Sequence, residues 1–332
     1  MWRKSVLALS MVSLLALAGT AQAKTSLNLS TPDPDGASIT EAGKHFAKLI
    51  EQKTGGEVTV KIFPNGTLYG GDPRAAVKQL GAGSLDMLLL STSLYAAFNP
   101  KFTAISIPFL YDDTKQLIDY LNSDLGGELK GDLAKMNIET LSFWHRPFRQ
   151  ITNSKRPILT PADMKGLRFR VPNNPLWVEF FKAMGAAPTP MAFGEVYNAL
   201  QMKVVDGQEN PVNVPVAAKF YEVQGYLSLT NHMADGWVVG MNKKKYDALP
   251  EKTRKAIVAA AMETQAWKVM TDDNQQSKQV AFLKEKGMKV NALTADQQKQ
   301  FVGIAKGLYP VFKKLVGNEA FFEGTLKFVG KN

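Results

Sequence analysis

The chain has no cysteine in its 332 residues. That absence excludes disulfides, thiolate metal sites and a cysteine nucleophile. It also excludes a lipoprotein anchored through an N-terminal cysteine. Histidine is scarce as well: His45, His145 and His232 lie far apart and give no HExxH-type spacing. There is no P-loop, no GxSxG elbow and no GxGxxG after a strand. Asp33-Pro34-Asp35-Gly36 lacks the later ligands of a calcium loop and reads as a turn. Asp112-Asp113 reads as a helix start rather than a metal site. No catalytic pair, metal or cofactor is expected from these residues. After the first two dozen positions no run is apolar enough to span a membrane. Nor is there a basic stripe interleaved with aromatics, which argues against nucleic acid.

What is present begins with the N-terminus. Arg3 and Lys4 precede the apolar run "SVLALSMVSLLALAG", and Ala21-Gln22-Ala23 follows as a small-residue cleavage box. The pattern predicts a secretory signal peptide over 1–23, removed after Ala23. A membrane anchor fits less well, because the run falls short of the roughly 20 apolar residues that cross a bilayer. The mature chain would hold 332 − 23 = 309 residues, enough for two domains. With 45% hydrophobic and 21% charged residues, it has the balance of a soluble globular protein. Removing Arg3 and Lys4 lowers the formal charge from +10 to +8, a field that favours small anions. Export without disulfides or an anchor suits a bacterial periplasm.

Strand and helix patterns alternate along the chain. "SLNLS" and "VTVKIF" have period-two apolar residues, with the helical "TEAGKHFAKLIEQKTGG" between them. "DPRAAVKQLGAG" reads as a helix and "LDMLLLS" as the next strand. This order implies a mostly parallel sheet with helices on both faces. Further on, Thr160 and Asp163 make a capping box, and helices are expected from Pro175 to Met184 and over "FGEVYNALQ". "YLSLTNHM" and "GWVVGMN" follow as separate segments, then a long helix from near Pro250 to Lys286. Thr294 and Gln297 cap the last large helix. No flexible linker divides the chain, so it is expected to pass between the domains more than once.

"GLRFRVPN" alternates like a strand, with Leu167, Phe169 and Val171 on one side and Arg168 and Arg170 on the other. Periodicity alone does not distinguish the two arginines. Arg149 in "FRQITN", Phe193 at a helix entrance and Asn210 after a glycine turn are similarly ambiguous between structural and binding roles.

Longer blocks resolve the ambiguity. "RPILTPADMKGLRFRVPN", "MGAAPTPMAFGEVYNALQMKVVDGQENP", "KFYEVQGYLSLTNH", "IFPNGTLYGGDPRAAVKQLGAGSLDM" and "IPFLYDD" closely resemble the solute-binding proteins of TRAP (tripartite ATP-independent periplasmic) transporters. The resemblance covers nearly the whole mature chain. It implies two α/β domains joined by hinge strands, a long helix packed across both, and a ligand cleft between them. The expected division is 24–146 plus 236–275 for the first domain and 147–235 plus 276–332 for the second. The resemblance further implies a monomeric receptor, not an enzyme, that hands an organic acid to membrane permease subunits. Arg170 matches the arginine that clamps the ligand carboxylate, and Arg149 a second cleft arginine. Asn173 and Asn210 match positions that hydrogen-bond the carboxylate or a neighbouring hydroxyl, and Phe193 an aromatic against the ligand body. Arg168 has no matched role and reads as solvated or in a surface pair. Tyr69, Asp72, Ser91 and Trp237 are weaker candidates for distal contacts. Ser91 and Leu94 stand where the sialic-acid branch has a glutamate and an arginine, which argues against that ligand. The expected ligand is a hydroxylated acid such as an aldonate or uronate. The alternative is a C4-dicarboxylate, whose second carboxylate would need Arg146 or a lysine. A periplasmic enzyme on the same scaffold and a ligand-presenting sensor are the other functional classes.

Overall fold

Residues 24–331 are described by a computed structural model; the expected signal peptide and its cleavage site lie outside the described residues. The first half runs β1 (Thr25–Ser30), α1 (Ser38–Lys53), β2 (Val58–Phe63), α2 (Pro73–Ala82), β3 (Met87–Ser91), α3 (Thr92–Tyr95), α4 (Thr114–Leu121) and α5 (Asp124–Lys135). The long strand β4 (Ile138–Asn153) carries the chain into the second half. There follow β5 (Arg168–Val171), α6 (Pro175–Ala183), β6 (Ala187–Pro190), α7 (Val196–Gln201), β7 (Gly207–Asn210) and α8 (Asn213–Ala217). A second long strand, β8 (Tyr226–Asn242), returns the chain. The remainder is α9 (Lys243–Asp247), α10 (Glu251–Glu285), β9 (Lys289–Ala292), α11 (Ala295–Gly307), α12 (Tyr309–Val316) and α13 (Glu319–Phe328).

Local sequence explains most of these bounds. In α1, Ile39, Ala42, Phe46, Leu49 and Ile50 fall on one buried face, and the helix stops before Gly55 and Gly56, both at positive φ. Asp72 caps α2 by accepting from Arg74 N at 2.9 Å. The capping boxes at Thr160/Asp163 and Thr294/Gln297 both form. β3 is buried throughout because it lies between β1 and β8. Its pleat sends Met87 and Leu89 to the core under α1 and α10, and Leu88 and Leu90 to the core on the opposite face. Phe143 and Trp144 of β4 divide in the same way.

The strands join in the order β2-β1-β3-β8-β4-β7-β5-β6, with β9 beside β8. Pairing is parallel within each wing, as in β1–β2 and β5–β6. Through the centre it is antiparallel, so the expected parallel sheet holds for the wings and not for the middle. The cause is β4 and β8, which pair from Ile138↔Asn242 to Asn153↔Tyr226. The two segments read separately in the sequence, "YLSLTNHM" and "GWVVGMN", are one strand. The β4–β8 ladder slips between Arg146 and Arg149, where Pro147 offers no N–H, and again before Ile151, opposite Asn231 at φ 46°. These slips fall where the strands pass from one wing to the other.

Gly207 opens β7 as a strand residue rather than in a turn. A Cβ there would lie 2.4 Å from Thr152 O and 2.5 Å from the Phe169 ring, so β7 enters between β4 and β5 because the position is glycine. The 35 residues of α10 span about 52 Å at 1.5 Å each. The helix packs on α1 and β4 and, further along, on α8 and β9. Ala260 and Ala261 let it approach closely, and Ala261 O accepts from Trp144 Nε1 at 2.8 Å. The C-terminal helices touch both halves: α11 and α12 lean on α6, while α13 packs on α5.

Candidate functional site

The two wings face each other across a cleft of about 690 Å³, its open mouth included. Asp33, Tyr69, Ser91, Ser93, Arg146 and Trp237 line it on the wing of β1 and β3. Arg149, Arg170, Asn173, Phe193 and Asn210 line it on the other wing. Of the residues singled out in the sequence, Asp72 is the exception. It is exposed on the outer rim with its carboxylate committed to capping α2, so it does not line the main cleft.

Three buried arginines reach the cleft, and their partners differ. Arg149 on β4 donates to Glu209 Oε1 at 2.6 Å, pairs through Nε with Oε2, and donates to Glu209 O at 2.8 Å. Burial pushes the Glu209 carboxyl up, but the Arg149 charge and the bonds from His232 and Arg149 outweigh it and hold the group at about 2. His232 Nε2 sits 3.3 Å from Glu209 Oε2, and Nδ1 lies 2.7 Å from Thr230 Oγ1. Burial keeps that imidazole below its ordinary range despite Glu209. Arg149 is therefore charge-compensated from within the protein.

Arg146, also on β4, lies 4.5 Å over the Trp237 ring. Its Nη1 is 3.5 Å from Asp235 Oδ2, and its Nη2 donates to Asn210 Oδ1 at 2.8 Å. The same Asp235 oxygen accepts from Ser91 Oγ at 2.5 Å, and Ser91 meets Ser93 at 2.7 Å. Asn210 Oδ1 accepts from Arg149 too, at 3.0 Å, while Asn210 Nδ2 donates to Gln208 Oε1 at 2.6 Å. Ser91, Trp237 and Asn210 thus hold the arginines in place as well as lining the cleft.

Arg170 differs from both. Its Nε and Nη2 donate to Met191 O at 3.2 and 2.9 Å, and the Phe193 ring lies 6.0 Å from the guanidinium. Among the described residues no carboxylate comes within ion-pair reach of it. Burial lowers its pKa to about 9; Glu209 and, less, Asp33 oppose that, and Arg149 and Arg146 add to it. Arg168, two residues earlier on β5, is 47% exposed and grips Asp206 through Nε at 3.1 Å and Nη2 at 3.0 Å. The pleat gives the two arginines the same side of the strand, but Arg168 lies at its outer end and Arg170 at the cleft.

Asn173 is exposed at the cleft edge, and Phe193 packs 6.2 Å from Phe220. The Tyr69 hydroxyl is buried without a hydrogen bond, and burial raises its pKa. Several residues escaped the sequence reading. Glu209 and Asp235 are the arginines' counter-ions, and Asp33, which reads as part of a plain turn, lines the cleft. Asn174 was also missed: its Oδ1 caps α6 by accepting from Leu176 N at 2.9 Å, and its Nδ2 donates across the cleft to Ser93 O at 2.8 Å. "NNP" does carry a cap-then-proline signal, which could have identified Asn174 as a cap. Among the described residues no cluster has the makings of a metal site, and no helix is long and apolar enough to cross a membrane.

Comparison with known proteins shows the family and the fold. Residues 29–315 match the family profile DctP, described as bacterial extracellular solute-binding protein, family 7. The chain is 36% identical over 249 residues to the 2,3-diketo-L-gulonate-binding periplasmic protein YiaO of Escherichia coli K12, covering 75% of each. Its fold matches the sugar acid binding protein DctPAm of Advenella mimigardefordensis, solved with galactonate, at a TM-score of 0.88 and 31% identity, covering 93% of this chain and 99% of that one. A TRAP periplasmic solute-binding protein of Sulfurospirillum deleyianum, solved with succinate, matches at 0.85 and 28%, covering 91% and 98%. A two-wing cleft lined by buried arginines, joined to a profile match over nearly the whole described chain, places this protein in the family 7 extracellular solute-binding proteins, the binding components of TRAP transporters.

Proposed function

We propose that the cleft takes up a small hydroxylated monocarboxylic acid, seats its carboxylate on Arg170, and delivers it as a monomer to TRAP permease subunits in the membrane. The supporting observation is the contrast among the arginines: Arg146 and Arg149 have internal acids, and Arg170 has a carbonyl and an aromatic ring but no acid. Two guanidinium protons go to Met191 O, and the remainder suit a carboxylate, which would restore the stabilisation that burial removes. Phe193 and Asn173 flank that position and would contact the ligand body and its polar end. The site reads as a receptor rather than a catalyst, since Glu209 and Asp235 are tied up holding arginines and, among the described residues, no nucleophile is paired with a free base. The relatives solved or named with galactonate and 2,3-diketo-L-gulonate favour a sugar acid. A C4-dicarboxylate is the second reading, favoured by the succinate-bound neighbour and by the proximity of Arg146.

The deciding experiment is a thermal-shift screen of organic acids against the mature chain. An acid present at a hundred times its Kd should add about 2.7 kcal/mol of stability. Stabilisation by neutral sugars or amines and by no carboxylate would sink the reading.

A further inference from the structure

We propose that Asp33 determines which class of acid the cleft accepts: its carboxylate receives hydroxyl donors from the ligand's distal end and repels a second carboxylate. This rests on the carboxylate-receptor reading above and narrows it to polyhydroxy monocarboxylates.

Asp33 follows β1 in the turn Pro32-Asp33-Pro34-Asp35-Gly36, on the wing opposite Arg170. The turn is firmly held. Asp33 O accepts from Asn65 N at 3.0 Å, Thr40 Oγ1 at 3.3 Å and Thr31 Oγ1 at 3.4 Å, and the flanking prolines fix φ on both sides. The side chain is thereby aimed, and the residue is only 5% exposed. Yet among the described residues no hydrogen bond or ion pair reaches its carboxylate oxygens. A buried acid in that condition is unusual, and the cleft is what it faces. Burial raises its pKa, with Arg146, Lys268, Arg149 and Arg170 pulling the other way.

The charges then sort themselves. Arg149 is matched by Glu209 and Arg146 by Asp235, which leaves Arg170 and Asp33 as one cation and one anion in a single cleft. A monocarboxylate neutralises Arg170 and turns the rest of its body towards an acceptor. A carboxylate can take several hydrogen bonds, and hydroxyls can supply them. The Tyr69 hydroxyl, buried and unbonded beside Asp33, adds a donor and an acceptor to the same wall. A dicarboxylate would instead bring a second negative charge against Asp33 with no unmatched cation left to meet it.

The test is calorimetric titration of the full mature chain with galactonate, erythronate and glucuronate, and with succinate. Wild type, Asp33→Asn, Asp33→Ser and Arg170→Ala are compared. Wild type should bind at least one of the three hydroxy acids ten-fold or more tightly than succinate. Asp33→Asn should weaken that acid by ten-fold or more and leave succinate unchanged or tighter. Asp33→Ser should do the same, and stands in if the asparagine variant does not fold. Hydroxy-acid binding that survives both substitutions, or a wild type that prefers succinate, overturns the role of Asp33 alone, provided Arg170→Ala still weakens binding by ten-fold or more. Binding of none of the four acids by wild type overturns this proposal, and the carboxylate reading falls with it only if the wider acid screen also finds no carboxylate ligand.

Discussion

Arg170 is a liability to the folded protein while no anion is bound. Its guanidinium is buried, its pKa is lowered to about 9 by that burial, and two neighbouring arginines repel it. Replacing it should therefore leave the ligand-free protein as stable as wild type or more so, while binding of the acid falls by about 2–5 kcal/mol. Arg168→Ala removes a half-exposed pair with Asp206 and should bind almost normally. Calorimetry and thermal melts on the two variants check both statements, and near-normal binding by Arg170→Ala would refute the clamp. Arg149 gives the opposite pattern. Glu209→Ala leaves its buried charge unmatched and should cost about 3–5 kcal/mol of stability. The double change Arg149→Met with Glu209→Leu should recover much of that loss in urea melts. Strictly additive effects would show that the pair is not a coupled unit. Alternation could not have separated these arginines, because a side chain's partner is set by what crosses from another strand. Glu209 comes from β7, about 60 residues after Arg149, and no local pattern announces it.

At the level of elements, the local rules worked where neighbours in sequence decide the outcome. The capping boxes at Thr160 and Thr294, the helix α1 with its stop at Gly55-Gly56, and the span of α10 are legible, since helix ends depend on residues within a turn or two, whereas Asp72, expected at the ligand, turns out to be a cap. β8 reads in the sequence as two pieces, "YLSLTNHM" and "GWVVGMN", with Ala234-Asp235 between them. It stays extended because β4 pairs with it on both sides of the slip. Asn174 shows one residue serving two levels. It caps α6 and also clasps Ser93 of the other wing. Asn174→Ser keeps an oxygen for the cap but is too short to reach Ser93. Helix stability should hold, while closure loses one hydrogen bond, about 0.5–1.5 kcal/mol. The acid found in the screen should then dissociate several-fold faster in stopped-flow measurements. An unchanged dissociation rate would show that the clasp contributes nothing to closure.

For the molecule as a whole, the wings are held by a spine running behind the cleft. There His145 of β4, Ser38 of α1, and Lys268 and Asp272 of α10 form a buried polar knot. Ser38 Oγ donates to Asp272 Oδ1 at 2.6 Å, Lys268 pairs with Asp272 Oδ2, and His145 Nε2 lies 3.3 Å from the same oxygen. That contact would favour an imidazolium, but burial and the Lys268 charge outweigh it, because Lys268 already neutralises Asp272. The His145 pKa falls to about 3. The unfolded chain, with histidine near 6.5, then takes up a proton that the folded chain refuses, so stability declines as pH drops from about 6.5 towards about 3. Between about pH 7 and pH 5 this one group should withdraw about 2 kcal/mol. His232, also lowered, acts in the same direction, whereas Glu209 and Asp206, held at about 2, titrate only in more acid solution. Denaturant melts of wild type at about pH 7 and pH 5 should show the loss, and His145→Gln should remove the His145 share and leave that of His232. A His145→Gln protein whose stability falls as steeply as wild type over that interval would place the titration outside the spine.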